Sequence, residues 1–401
     1  MEQVEDRLSN LPKIILHNIL SRLPEEDAAR TIVLSKAWRE TWYTFPNLSF
    51  CDSHFIGKPV EDIVGMFPQP MEDLPKTRKD FIDYVKSRLV RFLKQRLAIK
   101  KFKLSVHFAL AYMSKDVDLC LKFASESGVE VLELFNGIDR DEEGRGECYV
   151  LPKSVIEVKS LTKLVLAGRI RFDQSFMNHS SNFFSLRELH LLNVFLEEDD
   201  QAIERLISCC PLIETIVLAL DGGNMKSLSI HGLQKLKKVG VDGIKEVYID
   251  EASSLKSFYY CCDDLDEEPF KIDFIRCKYL KHLLLRLNST TIITNKWFLE
   301  LLPKFPFLER LEIWNCILSE TINISSVQLT HLDVSDCSNL IEANIDAPNL
   351  LSLSCRFSGF DDSEPVISFL NFSSQLEVFL NIKIDDDFDV FDVKEKMISE
   401  E

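Results

Sequence analysis

From residue 99 onward one apolar spacing keeps returning: apolar-x-x-apolar-x-apolar. It opens with Ile99-Phe102-Leu104 and continues through Val129-Leu132-Leu134, Leu161-Leu164-Leu166, Leu186-Leu189-Leu191 and Ile213-Ile216-Leu218. Met225-Leu228-Ile230, Leu236-Val239-Val241, Ile244-Val247-Ile249 and Leu255-Phe258-Tyr260 then arrive in quick succession. Leu280-Leu283-Leu285, Leu308-Leu311-Ile313, Leu329-Leu332-Val334 and Leu350-Leu353-Cys355 complete the series. Most steps are about 20 to 30 residues, the length of one solenoid repeat, and the central half-steps of about 8 to 12 predict that every other match there carries a full repeat. The final apolar-x-apolar is a short strand with one buried face. The earlier anchor packs into the same core. A single repeat cannot bury its own apolar face, so neighbours must stack. This pattern predicts an α/β solenoid. Cys316 and Cys337 each fall three residues after a last anchor, where a small buried thiol suits the repeat core.

The first 50 residues follow a different rule. Ile15, Leu16, Ile19, Leu20 and Leu23 recur at helical spacing. Pro12 suits the start of that helix, where the missing N–H has no intrahelical partner. Pro24 repeats the device, and Glu25, Glu26 and Asp27 put negative charge at the positive end of a second helix. Ala28, Ala29, Ile32 and Val33 give that helix an apolar face. Ser35 is an N-cap for a third, carrying Trp38 and Trp42. The expectation is a small three-helix bundle. A unit that short buries little surface alone, so it completes its core against something else.

The intervening chain divides in two. Pro59, Pro68, Pro70 and Pro75 interrupt residues 51–77, which read as a linker that leaves the angle between the modules loosely set. A basic amphipathic helix follows over 78–98. Phe81, Val85, Leu89, Phe92 and Leu93 lie close to one face, and Lys86, Arg88, Arg91, Lys94 and Arg96 fill much of the rest. Two readings stand: an anion site, or a solvated helix face capping the repeats.

With 401 residues, the chain suffices for one small module and one large domain. No run approaches the 18 or more apolar residues of a membrane span. The acidic start MEQVEDR has no apolar stretch of a secretory signal. Eleven cysteines, with no C-x-x-C and no Cys/His cluster at zinc spacing, fit reduced thiols in the cytoplasm and/or nucleus. The N-x-S/T matches at Asn288 and Asn323 then carry no meaning. The net charge of −17 is uneven: residues 361 to 401 hold twelve acids against three lysines. Such a balance disfavours nucleic acid as a partner.

Enzyme signatures are missing: no G-x-S-x-G, no H-E-x-x-H, no Walker lysine loop, no G-x-G-x-x-G. His190, His282 and His331 sit inside repeat patterns and read as satisfied structural residues. The run Asp385-Asp386-Asp387-Phe388-Asp389 offers Val390 and Lys396 where a calcium loop wants Gly and Glu. It reads as a solvated tail, and Asp139 to Gly144 as a solvated loop. No metal, cofactor or catalytic residue is expected.

The N-terminal stretch resembles the F-box motif. Leu11-Pro12, Ile19-Leu20, Leu23-Pro24, Leu34-Ser35 and Trp38 fall at its spacing. Cys210-Pro211-Leu212-Ile213-Glu214 resembles the C-P-L-L-E element of plant F-box proteins with leucine-rich repeats, and Ala347-Pro348-Asn349-Leu350 their A-P-N-L element. Ile99-Lys100-Lys101-Phe102 resembles their lead-in to the first strand, and Cys316 and Cys337 stand where leucine-rich repeats carry Asn or Cys. The resemblance runs from Asp6 to about Leu353; no FBD region, which ends many members, is identified after it.

What the resemblance implies is a leucine-rich-repeat domain behind an F-box. The expected layout is F-box 1–50, linker 51–77, capping helix 78–98, irregular repeats 99–384 and acidic tail 385–401. By position the family's adaptor contact carries to Leu11, Pro12, Ile15, Ile19 and Leu20, with Leu34 and Trp38 shared between core and interface. The implied function is the non-catalytic substrate receptor of an SCF-type ubiquitin ligase. Its F-box would hold the Skp-type adaptor, and through it cullin, while the repeats hold an unidentified target. Two alternatives share the architecture: a ligase-independent repeat scaffold, and a hormone co-receptor.

Overall fold

The computed structural model describes residues 11–23, 25–52, 74–106, 110–137, 148–155, 157–172, 183–195, 201–220, 225–262, 270–357 and 365–382. Pro24, the linker prolines Pro59, Pro68 and Pro70, the Asp139 to Gly144 loop and the acidic run at Asp385 lie outside them. The chain divides into two compact units: Met1–Leu186 with Phe195–Glu197, and Arg187–Val194 with Glu198–Glu401.

The first unit opens with three short helices: α1 (Lys13–Leu20), α2 (Glu25–Arg30) and α3 (Lys36–Tyr43). Pro12 is the N-cap of α1, and its carbonyl accepts from the Ile15 and Leu16 amides at 2.8 and 3.2 Å. Ser35 caps α3, its hydroxyl accepting from the Trp38 amide at 3.3 Å. Leu16, Leu20, Ala28, Trp38 and Phe45 form the core between them, with Leu11, Ile19 and Trp42 packed against it.

The repeat sheet takes its first strand from the end of the N-terminal stretch. Asn47–Cys51 is already a strand of the repeat sheet, paired in parallel with Lys101–Val106. Phe45, Leu48 and Phe50 repeat the apolar-x-x-apolar-x-apolar spacing and are buried, so the series begins one repeat earlier than Ile99. Val131–Asn136 and Lys163–Ala167 follow in the same register.

Between the first two strands runs α4 (Leu74–Gln95). Its start differs from the expected 78: Pro75 lies in the first turn of the helix rather than in a linker, because a first turn tolerates a missing N–H. Its buried face is Phe81, Ile82, Val85, Leu89 and Phe92, and it packs against α5 (Ser114–Glu126).

The second unit is built almost entirely of parallel strands. Nine of them pair in sequence order: Glu188–Leu192, Thr215–Ala219, Lys238–Asp242, Ser257–Cys261, His282–Arg286, Arg310–Trp314, His331–Ser335, Ser352–Phe357 and Glu377–Ile382. The second and third anchors of each triplet on these strands point into one core. Ile216, Val239, Phe258, Leu283 and Leu311 form one buried column, and Leu218, Val241, Tyr260, Leu285 and Ile313 the next.

The half-steps have a simple cause. Ser227–His231, Glu246–Asp250 and Lys271–Ile275 pair into a second parallel sheet. Each central repeat therefore carries two strands, one per sheet, and every other match does mark a full repeat. Thr321–Ser325, Glu342–Ala347 and Val366–Phe372 form a further sheet of this kind. Only two helices occur among the described residues of this unit, α6 (Ala202–Ser208) and α7 (Asn295–Lys304). Cys316 and Cys337 stack in adjacent repeats with sulfurs 3.5 Å apart, both buried.

Candidate functional site

At the N-terminal end, α1 divides its apolar residues between two surroundings. Leu16 and Leu20 enter the core, while Ile14 is 71% exposed and Ile15 41%. After α2, Ile32, Val33 and Leu34 are again left in solvent, Leu34 at 62%. So many large aliphatic side chains outside the core of so small a unit are what a contact surface would present.

The seven residues assigned from sequence therefore separate. Pro12, Ile15 and Leu34 are exposed, Leu11 and Ile19 are half-buried against the core, and Leu20 and Trp38 are inside it. Ile14, Ile32 and Val33 join the exposed set. The helical stripe read from sequence was wider than the core, and its surplus is the signal that could have found Ile14.

His17 faces inward on α1, with Nε2 3.3 Å from the Thr41 carbonyl and its ring 5.7 Å from Phe45. Burial, with Lys13 and Lys100 nearby, holds its pKa below the usual imidazole value, although the Thr41 bond opposes the shift.

Helices α3 and α4 meet through cation–π contacts. Arg88 lies 5.5 Å from the ring centres of both Trp42 and Tyr43, and Arg91 lies 4.0 Å from Tyr43. Arg88 is buried, its Nη2 reaching the Trp42 carbonyl at 3.5 Å, and burial lowers its pKa. Lys86 pairs with Asp83 and Asp116 at 2.8 and 2.9 Å. Three of the five cations that suggested an anion site are thus turned to structural contacts. The same contacts, with the strand Asn47–Cys51, join the N-terminal helices to the first repeats independently of residues 53–73, so a loosely set angle between the two does not follow.

In the second unit, the strand residues that alternate with the core columns build the opposite face of the main sheet. A solvated face would be polar, yet Val217, Tyr259, Cys261, Leu284 and Trp314 cluster there, buried, with Leu192 against them. A polar chain runs through the cluster. Tyr259 Oη is 3.0 Å from His282 Nδ1, and His282 Nε2 is 2.9 Å from Glu312 Oε1. A neutral imidazole with its proton on Nε2 satisfies both contacts. His331 stands nearby, its pKa lowered by burial and by Arg310. His282 is thus held at both ring nitrogens, which suits a fixed structural group rather than a proton-transfer base.

The sequence did carry a signal for this face. Thr215–Ala219, Ser257–Cys261 and His282–Arg286 are apolar on both sides rather than alternating, as strands covered on both faces are. Among the described residues no group of three or more His, Cys, Asp or Glu could hold a metal ion, and no helix is long and apolar enough to cross a membrane.

Comparison with known proteins agrees with both ends of this arrangement. The F-box domain family matches residues 8–50. The family described as FBD-associated F-box protein At5g56370, LRR repeats, matches residues 117–284. Among curated relatives, the F-box/FBD/LRR-repeat protein At1g13570 of Arabidopsis thaliana is 29% identical over 289 residues, covering 70% of this chain and 60% of the relative. The F-box/LRR-repeat protein At3g59200 of the same plant is 29% identical over 63% of this chain and 47% of its own. The FBD-associated F-box protein At4g13985, also from Arabidopsis thaliana, is 28% identical over 69% and 51%. The chain thus spans about half the length of the relatives it matches. With an F-box match at its N-terminal end followed by a leucine-rich-repeat match, the chain is similar in arrangement to the plant F-box/FBD/LRR-repeat proteins.

Proposed function

We propose that the chain is the substrate-recognition subunit of an SCF-type ubiquitin ligase. Its three N-terminal helices form the F-box bundle and dock the Skp-type adaptor, which brings cullin. Its repeats hold a target protein. Proximity then raises the effective concentration of target lysines near the charged conjugating enzyme, and the chain itself supplies no catalytic group.

The observation that carries this reading is the coincidence of two facts. The F-box match covers residues 8–50, and within that stretch Ile14, Ile15, Ile32, Val33 and Leu34 lie in solvent. Adaptor contact then falls to Pro12, Ile15 and Leu34, with Leu11 and Ile19 at the edge; Leu20 and Trp38 support it from the core. The eleven cysteines are free thiols, which supports a reducing compartment, cytoplasm or nucleus.

The test is affinity purification of the tagged chain from plant extract. Recovery of a Skp-type adaptor together with cullin is the expected result. Recovery of repeat-bound partners without either would favour the ligase-independent scaffold.

A further inference from the structure

The turns that enter four successive strands of the main sheet in the second unit stack into one rim, and that rim is basic. The Lys237 amide donates to the Glu214 carbonyl, Lys256 to Lys237, Lys281 to Lys256 and Glu309 to Lys281, each at 2.8 Å. Their side chains therefore recur about every 4.8 Å along the sheet. Residues 234–238, 253–257, 278–282 and 306–310 hold seven cations against one acid, Glu309, in a chain of net charge −17. Glu214 and Glu309 pair with Lys237 and Lys281 at the two ends. Lys235, Lys256 and Lys278 are exposed, and no described residue pairs with them.

The rim also carries aromatic surface. Tyr279 and Phe307 stack with ring centres 5.4 Å apart and planes 22° from parallel, yet stay 56% and 46% exposed. Like charges held opposite one another destabilise a sheet, and apolar rings left in water forgo the gain of burial. An occupant that relieves both brings carboxylates interleaved with large apolar groups. Residues 385–392, Asp-Asp-Asp-Phe-Asp-Val-Phe-Asp, hold five aspartates, two phenylalanines and no cation. The chain length suffices for them to reach the rim. Ile382 ends the last strand of the main sheet, and Arg310–Trp314 is the third strand back from it. Strand spacing and rise put Phe307 about 25 Å from Ile382. Nine extended residues, from Lys383 to Phe391, span about 30 Å.

We propose that residues 385–392 dock on this rim within the same chain, their aspartates among Lys256, Lys278 and Lys281 and their phenylalanines against Tyr279 and Phe307. A segment of the same chain meets the rim at a high effective concentration once its reach suffices. The contact is independent of the ligase reading, because it is measured on the purified chain alone.

The test is cross-linking of the full chain with a carbodiimide, which joins a lysine amine directly to a carboxylate in contact with it, followed by mass-spectrometric mapping. An equal mixture of isotope-labelled and unlabelled chains separates links within one chain from links between two. Lys226 and Lys296, exposed elsewhere in the second unit, serve as references. The expected result is links within one chain from residues 385–392 to Lys256, Lys278 or Lys281, about tenfold or more above those to the reference lysines. The double variant Phe388→Ser and Phe391→Ser keeps every charge and leaves the repeats untouched. It should lower the rim links by about fivefold or more. Links no more abundant on the rim than on Lys226 and Lys296, links only between chains, or rim links unaffected by the two Phe substitutions would each overturn the proposal.

Discussion

Gly168 holds its turn at φ +92°, and a Cβ there would sit 1.8 Å from the Asn136 carbonyl oxygen. Asn136 is buried and fixed on both sides: Oδ1 accepts from the Leu110 amide and Nδ2 donates to the Arg169 carbonyl. It has nowhere to retreat. Gly168→Ala is therefore expected to lower stability by about 2 kcal/mol or more, backbone strain and the clash acting together, read as a drop in the urea midpoint of the first unit. The same position is left-handed after other strands of the main sheet, at Asn193, Gly243, Asn315 and Asp336. This punctuation was present in the sequence as Gly, Asn or Asp one residue past each of these five strands. Apolar spacing alone does not show it, because it reports what is buried and not how the chain turns.

His17 makes a second prediction at this scale. Its folded-state pKa lies below the ordinary 6.5, so below pH 6.5 the unfolded chain takes up the proton first. Stability contributed by the neutral ring is present above that pH and is lost as pH falls through 6.5 toward the folded value. Melting temperature should fall on acidification in this window, and His17→Asn should flatten that part of the profile. An identical profile for the variant would assign the dependence to other groups.

Among the elements, α4 shows how a basic helix can mislead. Its charge pattern suggested an anion site, and its apolar spacing suggested a cap; the structure uses Arg88 and Arg91 to hold α3. A buried guanidinium is costly unless well paired, and Arg88 Nη1 meets no acceptor. Arg88→Met is thus expected to change stability by no more than about 1 kcal/mol, whereas Trp42→Ala, which removes the ring that Arg88 and the N-terminal core share, should cost about 2 to 4 kcal/mol. Chemical denaturation of the two variants separates these effects. A larger loss for Arg88→Met would mean that the cation–π contacts outweigh the cost of burying the guanidinium.

The strand Asn47–Cys51 teaches a related lesson. Phe45-Leu48-Phe50 carried the repeat spacing in plain view, but the change of period from helix to strand at Phe45 was hidden by the neighbouring F-box pattern. The final strand, Glu377–Ile382, pairs in register with Ser352–Phe357, although it lies beyond the last spaced triplet, Leu350-Leu353-Cys355. Strand pairing there is set by backbone register, which tolerates anchors that the spacing rule rejects.

For the whole molecule, the division between core and surface is what the proposed function rests on. At the N-terminal end the core takes Leu16, Leu20 and Trp38 and leaves Ile15 and Leu34 outside. In the second unit, the repeat core takes the alternating anchors, and the opposite face gathers Tyr259, His282, Glu312 and Trp314. Sequence spacing identified both arrays of anchors. It assigns no residues to the proposed target, because the side chains that alternate with the anchors follow no repeat rule.

The central claim is that the exposed aliphatic residues of the N-terminal helices, and not those of the core, contact the adaptor. Biolayer interferometry of the purified chain against a purified Skp-type adaptor tests it directly with the double variant Ile15→Asp and Leu34→Asp. The account predicts a loss of affinity of about tenfold or more, at least about 1.4 kcal/mol, with the thermal unfolding curve unchanged. Parent-like affinity in a folded double variant would contradict it.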